Sequence, residues 1–212
     1  MYKKILLAMV MSVLSVCHSK DNNSAHNGFY FGYNLGYSSF GGNLVFNSSM
    51  TGKKQIISNI GTKSPSVGFF IGNGWSPFVK CIYLGYEIFA NYEDINQRNS
   101  IIHHETIFDS NSSFGVVLKT GYIFKDYLFF VKKGFVCLKN LGENSPSRKK
   151  GMLLGFGMEY AISNNWSIGG DFVYEIYSSI PLQPNTLALP LYGNITYKPN
   201  KSSSNLRLKF TF

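Results

Sequence analysis

Charge is the first thing this chain is short of. Asp, Glu, Lys and Arg make up 15% of its 212 residues, against roughly 25% in soluble domains. Past residue 16 no apolar run is long enough to cross a membrane as a helix, which takes about 20 residues. No Gly/Ser-rich linker marks a second domain, and no segment repeats another in sequence. The Lys and Arg residues are scattered and form no recognisable nucleic-acid motif. The net charge of +9 therefore fits anionic lipid head groups or acidic glycans better than nucleic acid.

Aromatic residues are abundant, at 16%, with 18 Phe and 14 Tyr beside 21 Gly. Such content favours strands and tight turns. Mean hydropathy is close to zero, at −0.03, because apolar and polar residues are interleaved, the pattern by which a membrane barrel escapes a hydropathy scan. Met1-Tyr2-Lys3-Lys4 is a short basic start, and Ile5 to Val16 is apolar, followed by Cys17-His18-Ser19-Lys20. The order reads as a cleaved secretory signal over 1–19, with 20–27 a short extension. Cleavage after Cys17 is an alternative, and Leu14-Ser15-Val16-Cys17 partly resembles a lipobox, so lipidation of Cys17 stays open.

From Gly28 onward one alternating segment follows another. Phe29, Phe31, Tyr33, Leu35 and Tyr37 share a face, opposite Tyr30, Gly32, Asn34, Gly36 and Ser38. Similar period-two patterns occur at 66–74, 81–92, 113–124, 127–139, 151–162 and 166–178. The eighth is the last: Leu206, Leu208, Phe210 and Phe212 oppose Arg207, Lys209 and Thr211. Adjacent Lys132 and Lys133 make the fifth segment ambiguous, and Lys132 is read as the inward one. Connections alternate between short and long, the long ones falling near 41–65, 93–112, 140–150 and 179–204. Pro146, Pro181, Pro184, Pro190 and Pro199 fall in those connections, as residues that cannot donate to a ladder should. The pattern predicts an all-β fold: an eight-stranded antiparallel up-and-down transmembrane β-barrel over 28–212, with short turns in the periplasm and long loops outside.

Several pieces carry a resemblance. They are Gly28-Phe29-Tyr30-Phe31-Gly32 with Leu35-Gly36-Tyr37, then Leu84-Gly85-Tyr86-Glu87, then Leu154-Gly155-Phe156-Gly157-Met158-Glu159-Tyr160, and the final Phe212. In this order they resemble the small outer-membrane barrels of the OmpA-like and opacity-protein superfamily, over nearly the whole mature chain. The resemblance implies a bacterial outer-membrane location, the barrel-assembly machinery as a partner, and Phe212 as part of the signal that machinery reads. No peptidoglycan-binding domain is expected to follow the barrel.

Parity then sorts the charges. Glu87, Glu159, Asp171 and Glu175 fall on the lumen face with Lys119, Lys132, Arg207 and Lys209. Eight strands leave an interior just wide enough for side chains to fill, where isolated charges are very costly. A plugged, ion-paired lumen is the expectation, with a narrow porin-like channel as its rival. Trp166, Tyr92, Tyr127 and Tyr177 near strand ends suit aromatic girdles. Cys81 and Cys137 should lie near opposite ends of the barrel, about 25 Å apart, and therefore as two free thiols. His103-His104-Glu105 and the nearby Ser100, Ser110 and Ser112 could suggest a metal site or a lipid-modifying enzyme. Adjacent His residues are poor joint ligands, however, and no strand-borne His stands beside a Ser and an acid. The reading is of no enzyme, cofactor or metal. Lys53, Lys54, Arg148, Lys149 and Lys150 are candidate surface contacts, to lipopolysaccharide-type glycolipid or to a host surface molecule. The expected function is that of a surface protein acting in structure, interaction and adhesion through its loops.

Overall fold

The computed structural model describes residues 24–47, 54–76, 81–98, 106–140, 147–182 and 195–212. A 3-10 turn, Ser24–His26, precedes the strands β1 (Gly28–Asn47), β2 (Lys54–Trp75), β3 (Ile82–Arg98), β4 (Thr106–Phe124), β5 (Tyr127–Asn140), β6 (Ser147–Ala161), β7 (Trp166–Tyr177), β8 (Ile180–Leu182) and β9 (Ile195–Thr211). Each of β1 to β6 pairs antiparallel with the next, β7 pairs with β9, and β9 returns to β1. The result is a closed eight-stranded barrel, with the three-residue β8 laid against the first residues of β9.

The register fixes the barrel's dimensions. Paired residues lead from Phe31 through Ile71, Ile88, Val116, Phe135, Met152, Ile176 and Asn200 back to β1 at Gly41. The ladder therefore returns ten residues along β1 from its start. With a rise of about 3.3 Å and a strand spacing of about 4.8 Å, that stagger tilts eight strands by roughly 40°. The interior is one that side chains fill.

Alternation sorts the faces as expected. Leu35, Phe69, Leu118, Phe135, Leu154, Phe156 and Leu206 point out, with Leu118 68% and Leu206 70% exposed. Tyr30, Phe70, Tyr83, Val117, Leu128 and Phe130 are buried inside. Lys132 is buried and Lys133 exposed.

The strands outrun their expected ends. The segment read as a first loop, 41–65, contains the upper parts of β1 and β2 around 48–53, and β3, β4, β6 and β9 likewise extend into 93–112, 140–150 and 179–204. A hairpin ladder satisfies its own backbone groups wherever it runs. Only where one face meets lipid must the sequence alternate, so the pattern fades before the strand does. Irregular register at Gly42/Leu44, Tyr92/Ile95 and Ser110/Ser112 breaks the parity further. Pro65, Pro181 and Pro199, expected in connections, lie in β2, β8 and β9. The short connections between β4 and β5 and between β6 and β7 fall where the pattern places them, and residues 77–80 of the third lie outside the described residues. Lys125–Asp126 joins β4 to β5, with Lys125 in the left-handed region at φ 54°.

The cysteine expectation holds in part. Cys137 is free. Cys81 is disulfide-bonded, so it is not the free thiol that strand positions alone suggested.

The turn end of the barrel is stoppered. Tyr83, Ile123, Leu128 and Phe130 form an apolar cluster there. The 3-10 turn tucks beneath it, with Ala25 and His26 each 1% exposed. Thr211 Oγ1 donates to the Ala25 carbonyl at 2.8 Å, and His26 Nε2 donates to the Asp126 carbonyl at 3.2 Å. Burial, and then the charge of Lys209, lowers the His26 pKa to about 4, so the docked imidazole is neutral.

Two outcomes follow from this packing. A Cβ on Gly32 would stand 2.3 Å from the Leu208 carbonyl oxygen and 2.4 Å from Phe70 Cζ, so Gly32→Val should sharply reduce the heat-modifiable folded band on a gel. The outward Thr120→Val should leave it unchanged. His26 titrates at a lower pH when docked than when free, so the undocked turn binds the extra proton. Docking is then fully favoured above about pH 6.5 and weakens as pH falls toward about 4. Hydrogen exchange at residues 24–27 should accelerate over that window, and His26→Phe should remove the pH dependence.

Candidate functional site

The lumen gathers the charges. All eight sequence-selected residues are buried inside: Glu87, Lys119, Lys132, Glu159, Asp171, Glu175, Arg207 and Lys209. Seven of them form one lower network. Arg207, on β9, is its hub. Its guanidinium forks onto Glu87, with Nη2 2.5 Å from Oε2 and Nη1 3.1 Å from Oε1. The same Nη1 reaches Asp171 Oδ2 at 3.0 Å. Nε lies 3.5 Å from Glu159 Oε1, close enough for attraction but outside hydrogen-bond geometry. Glu159 is held by Lys119 at 2.5 Å and Lys209 at 2.7 Å. Asp171 is held by Lys132 at 2.7 Å and by the Asn205 amide at 2.8 Å.

Aromatic rings line the same cations. Arg207 Cζ lies 3.8 Å from the Phe70 ring centroid, and Lys119 Nζ 3.9 Å from that of Phe130. Lys209 Nζ lies 5.0 Å from the Tyr30 centroid. Each ring presents its negative face to a desolvated cation, so the apolar filling of the lumen also serves its charges.

Glu175 belongs to a second tier nearer the loops. Lys201 Nζ sits 2.6 Å from Glu93 Oε1 and 3.0 Å from Glu175 Oε2. Ser113 donates to Glu93 at 3.3 Å, and the Tyr177 hydroxyl donates to Glu175. The alternation predicts loops at Glu93 and Lys201, yet both are 1% exposed. The signal that could have found them is parity carried further. Glu93 is six residues past Glu87 and Lys201 six before Arg207, each on the inward side of its strand. Tyr177, expected in an aromatic girdle, points inward as well and is 5% exposed. Counting both tiers, five carboxylates meet five cations.

The remaining candidates stand apart from the lumen. Trp166 and Tyr127 open β7 and β5 and point outward, and Tyr92 points outward from within β3 rather than from its end. Phe212 is 70% exposed but pinned to β1, its amide donating to the Phe29 carbonyl at 3.0 Å and its ring 5.7 Å from that of Phe29. Arg148 and Lys150 are exposed at the start of β6, while Lys149 is half-buried. Lys53, the Lys54 side chain, Ser100, His103, His104, Glu105 and the Ser110 side chain lie outside the described residues, and Ser112 is half-buried on β4. No group of three His, Cys, Asp or Glu side chains able to hold a metal occurs among the described residues.

Arg207 is the residue whose loss should tell most. Removing one partner of a buried pair leaves uncompensated charge and costs about 3–5 kcal/mol. Arg207→Ala strands Glu87 and half of Asp171, so urea unfolding in detergent micelles should show a destabilisation of about that size, with Arg207→Lys intermediate.

A model described as the outer membrane protein beta-barrel domain matches residues 6–212. No curated protein matches the chain. Among solved structures, Neisserial surface protein A is similar at 12% identity, covering 88% of this chain and 98% of its own, with a TM-score of 0.51. The outer membrane protein OprG from Pseudomonas aeruginosa is similar at 12% identity, covering 89% of this chain and 99% of its own, with a TM-score of 0.50. At such identities the likeness is one of fold.

Proposed function

The chain belongs to the outer membrane protein beta-barrel family, and from that we propose that it works as a surface interaction protein with a closed lumen. One observation carries the reading: the ten buried charges pair across the interior in two tiers, with apolar side chains packed around them and a stopper at the turn end. A conducting path needs unpaired polar groups and water along its length. Here each charged group is spent on another, and opening a path would strand several at once.

With the lumen occupied, function passes to the outer surface and the upper hairpins. The basic residues Arg148, Lys149 and Lys150, with Lys53 and Lys54, are the proposed contacts for acidic partners such as glycolipid phosphates or acidic host glycans. The role involves no chemical reaction of the protein's own. A narrow pore is the competing reading.

Planar-bilayer recording separates the two. The purified barrel should show no stable openings, and reproducible large-conductance openings would decide for the pore. Adhesion is checked on immobilised heparin. Binding should weaken steeply with salt and drop several-fold when Arg148, Lys149 and Lys150 are changed to Gln together.

A further inference from the structure

One charge faces the wrong way. The outward residues of β5, from the turn end upward, are Tyr127, Phe129, Val131, Lys133, Phe135, Cys137 and Lys139. Lys133 is the fourth of these seven. Six residues at about 3.3 Å each, on a strand tilted by roughly 40°, put it about 15 Å above Tyr127, near the middle of an apolar band about 25 Å tall. Its ladder partners are Leu118 on β4 and Leu154 on β6, 68% and 61% exposed. Its strand neighbours Val131 and Phe135 are exposed as well. Among the described residues, no other Asp, Glu, Lys or Arg points outward between the Tyr127–Trp166 level and the Tyr37–Tyr92 level.

Such a placement is strongly unfavourable for a Lys at the bilayer midplane. The burial of Lys132 does not force it. An uncharged residue at 133 would keep the same parity.

The surface above Lys133 is cationic. One apolar pair, Phe135 and Met152, separates it from Lys150, and Arg148 follows at the next outward position of β6. Both are exposed. Arg148 does not simply extend into solvent: its Cζ lies 5.7 Å from the Phe114 ring, which stands on β4, across β5 from its own strand. The guanidinium thus lies along the barrel wall at the upper edge of the apolar belt. A cationic track runs down the β5–β6 wall from rim to mid-belt.

We propose that this wall is a lateral binding site for a phosphate-bearing lipid of the surrounding leaflet. Arg148 and Lys150 hold its head group at the rim, and Lys133 extends upward along the wall to meet a phosphate drawn below the usual head-group level. Acyl chains lie on Leu118, Phe135, Met152 and Leu154. A second copy of the chain fits less well, because every described carboxylate on the barrel strands whose side chain is placed points into the lumen, so a copy's lipid face has no acid to offer Lys133.

The test is native mass spectrometry of the barrel released from nanodiscs, either of phosphatidylcholine alone or of phosphatidylcholine with one-fifth phosphatidylglycerol. Wild type should retain one phosphatidylglycerol in preference to phosphatidylcholine. Lys133→Met should lose that preference by about tenfold while folding at least as well, and Lys133→Arg should keep it. Arg148→Gln with Lys150→Gln should weaken it several-fold. Equal retention of both lipids by wild type, or unchanged retention in Lys133→Met, would overturn the proposal. A 1:1 dimer carrying no lipid would overturn it in favour of a protein partner. The site does not depend on whether the lumen conducts.

Discussion

Everything in this fold follows from the absence of water beside the lipid-facing backbone. Each amide and carbonyl must find its partner within the protein, and an open sheet would leave two edges unpaired. The pairing of β9 with β1 over Tyr30–Phe46 removes both edges. Once the sheet is closed with eight strands and a ten-residue stagger, the bore is fixed, and it is narrow. The side chains on its inner face are then dehydrated whether or not their chemistry suits burial. Lysines 0–1% exposed, such as Lys119, Lys201 and Lys209, are a consequence of closure, and their pairing with Glu93, Glu159 and Glu175 is the condition on which closure is tolerable.

Much of this was legible from residues alone, and the places where it was not share a cause. The inward set on β3 and β9 could be read as far as Glu87 and Arg207 because Ile82, Leu84, Tyr86, Ile88, Leu206 and Leu208 mark the lipid face beside them. Toward the rim that marker disappears. On β9 the outward positions become Ser204, Ser202, Asn200 and Lys198, so polar residues occupy both faces and parity carries no visible contrast. Glu93 and Lys201 lie there, where the pattern predicts loops. Tyr177 failed differently: an aromatic residue at a strand end suits both a girdle and a lumen cap, and only its odd position on β7, shared with Asp171 and Glu175, distinguishes them. The disulfide at Cys81 could not be read, because strand positions weighed only its separation from Cys137.

The buried network contributes specificity more plainly than stability. Desolvating ten charges is costly, and a lumen packed with apolar groups of the same volume could match it in free energy. What apolar packing cannot do is distinguish one register of β9 from the next. Three cations, Lys201, Arg207 and Lys209, come from β9, whereas the acids come from β3, β6 and β7. The last strand is therefore tied through the lumen to strands it does not neighbour as well as to β1 and β7.

A slip of β9 by one residue makes the point in energetic terms. It would turn Lys201, Arg207 and Lys209 outward and bring Leu206, Leu208 and Phe210 inward, since side chains alternate faces along a strand. Arg207 and Lys209 would face hydrocarbon and Lys201 the polar rim, while Glu87 and Glu93 lost their principal partners and Glu159 kept only Lys119. At about 2–4 kcal/mol for each basic residue facing lipid near mid-membrane, falling toward the interfaces, and several more for each orphaned carboxylate, the slipped barrel lies far above the native one. A two-residue slip keeps the faces but moves Arg207 out of the fork it makes with Glu87, at 2.5 and 3.1 Å. Closure against β1 is thus selected twice, by lipid on one face of β9 and by charge on the other. Against this background Lys133 stands out: the sequence that keeps every other described charge of the belt on the inside has left this one on the outside.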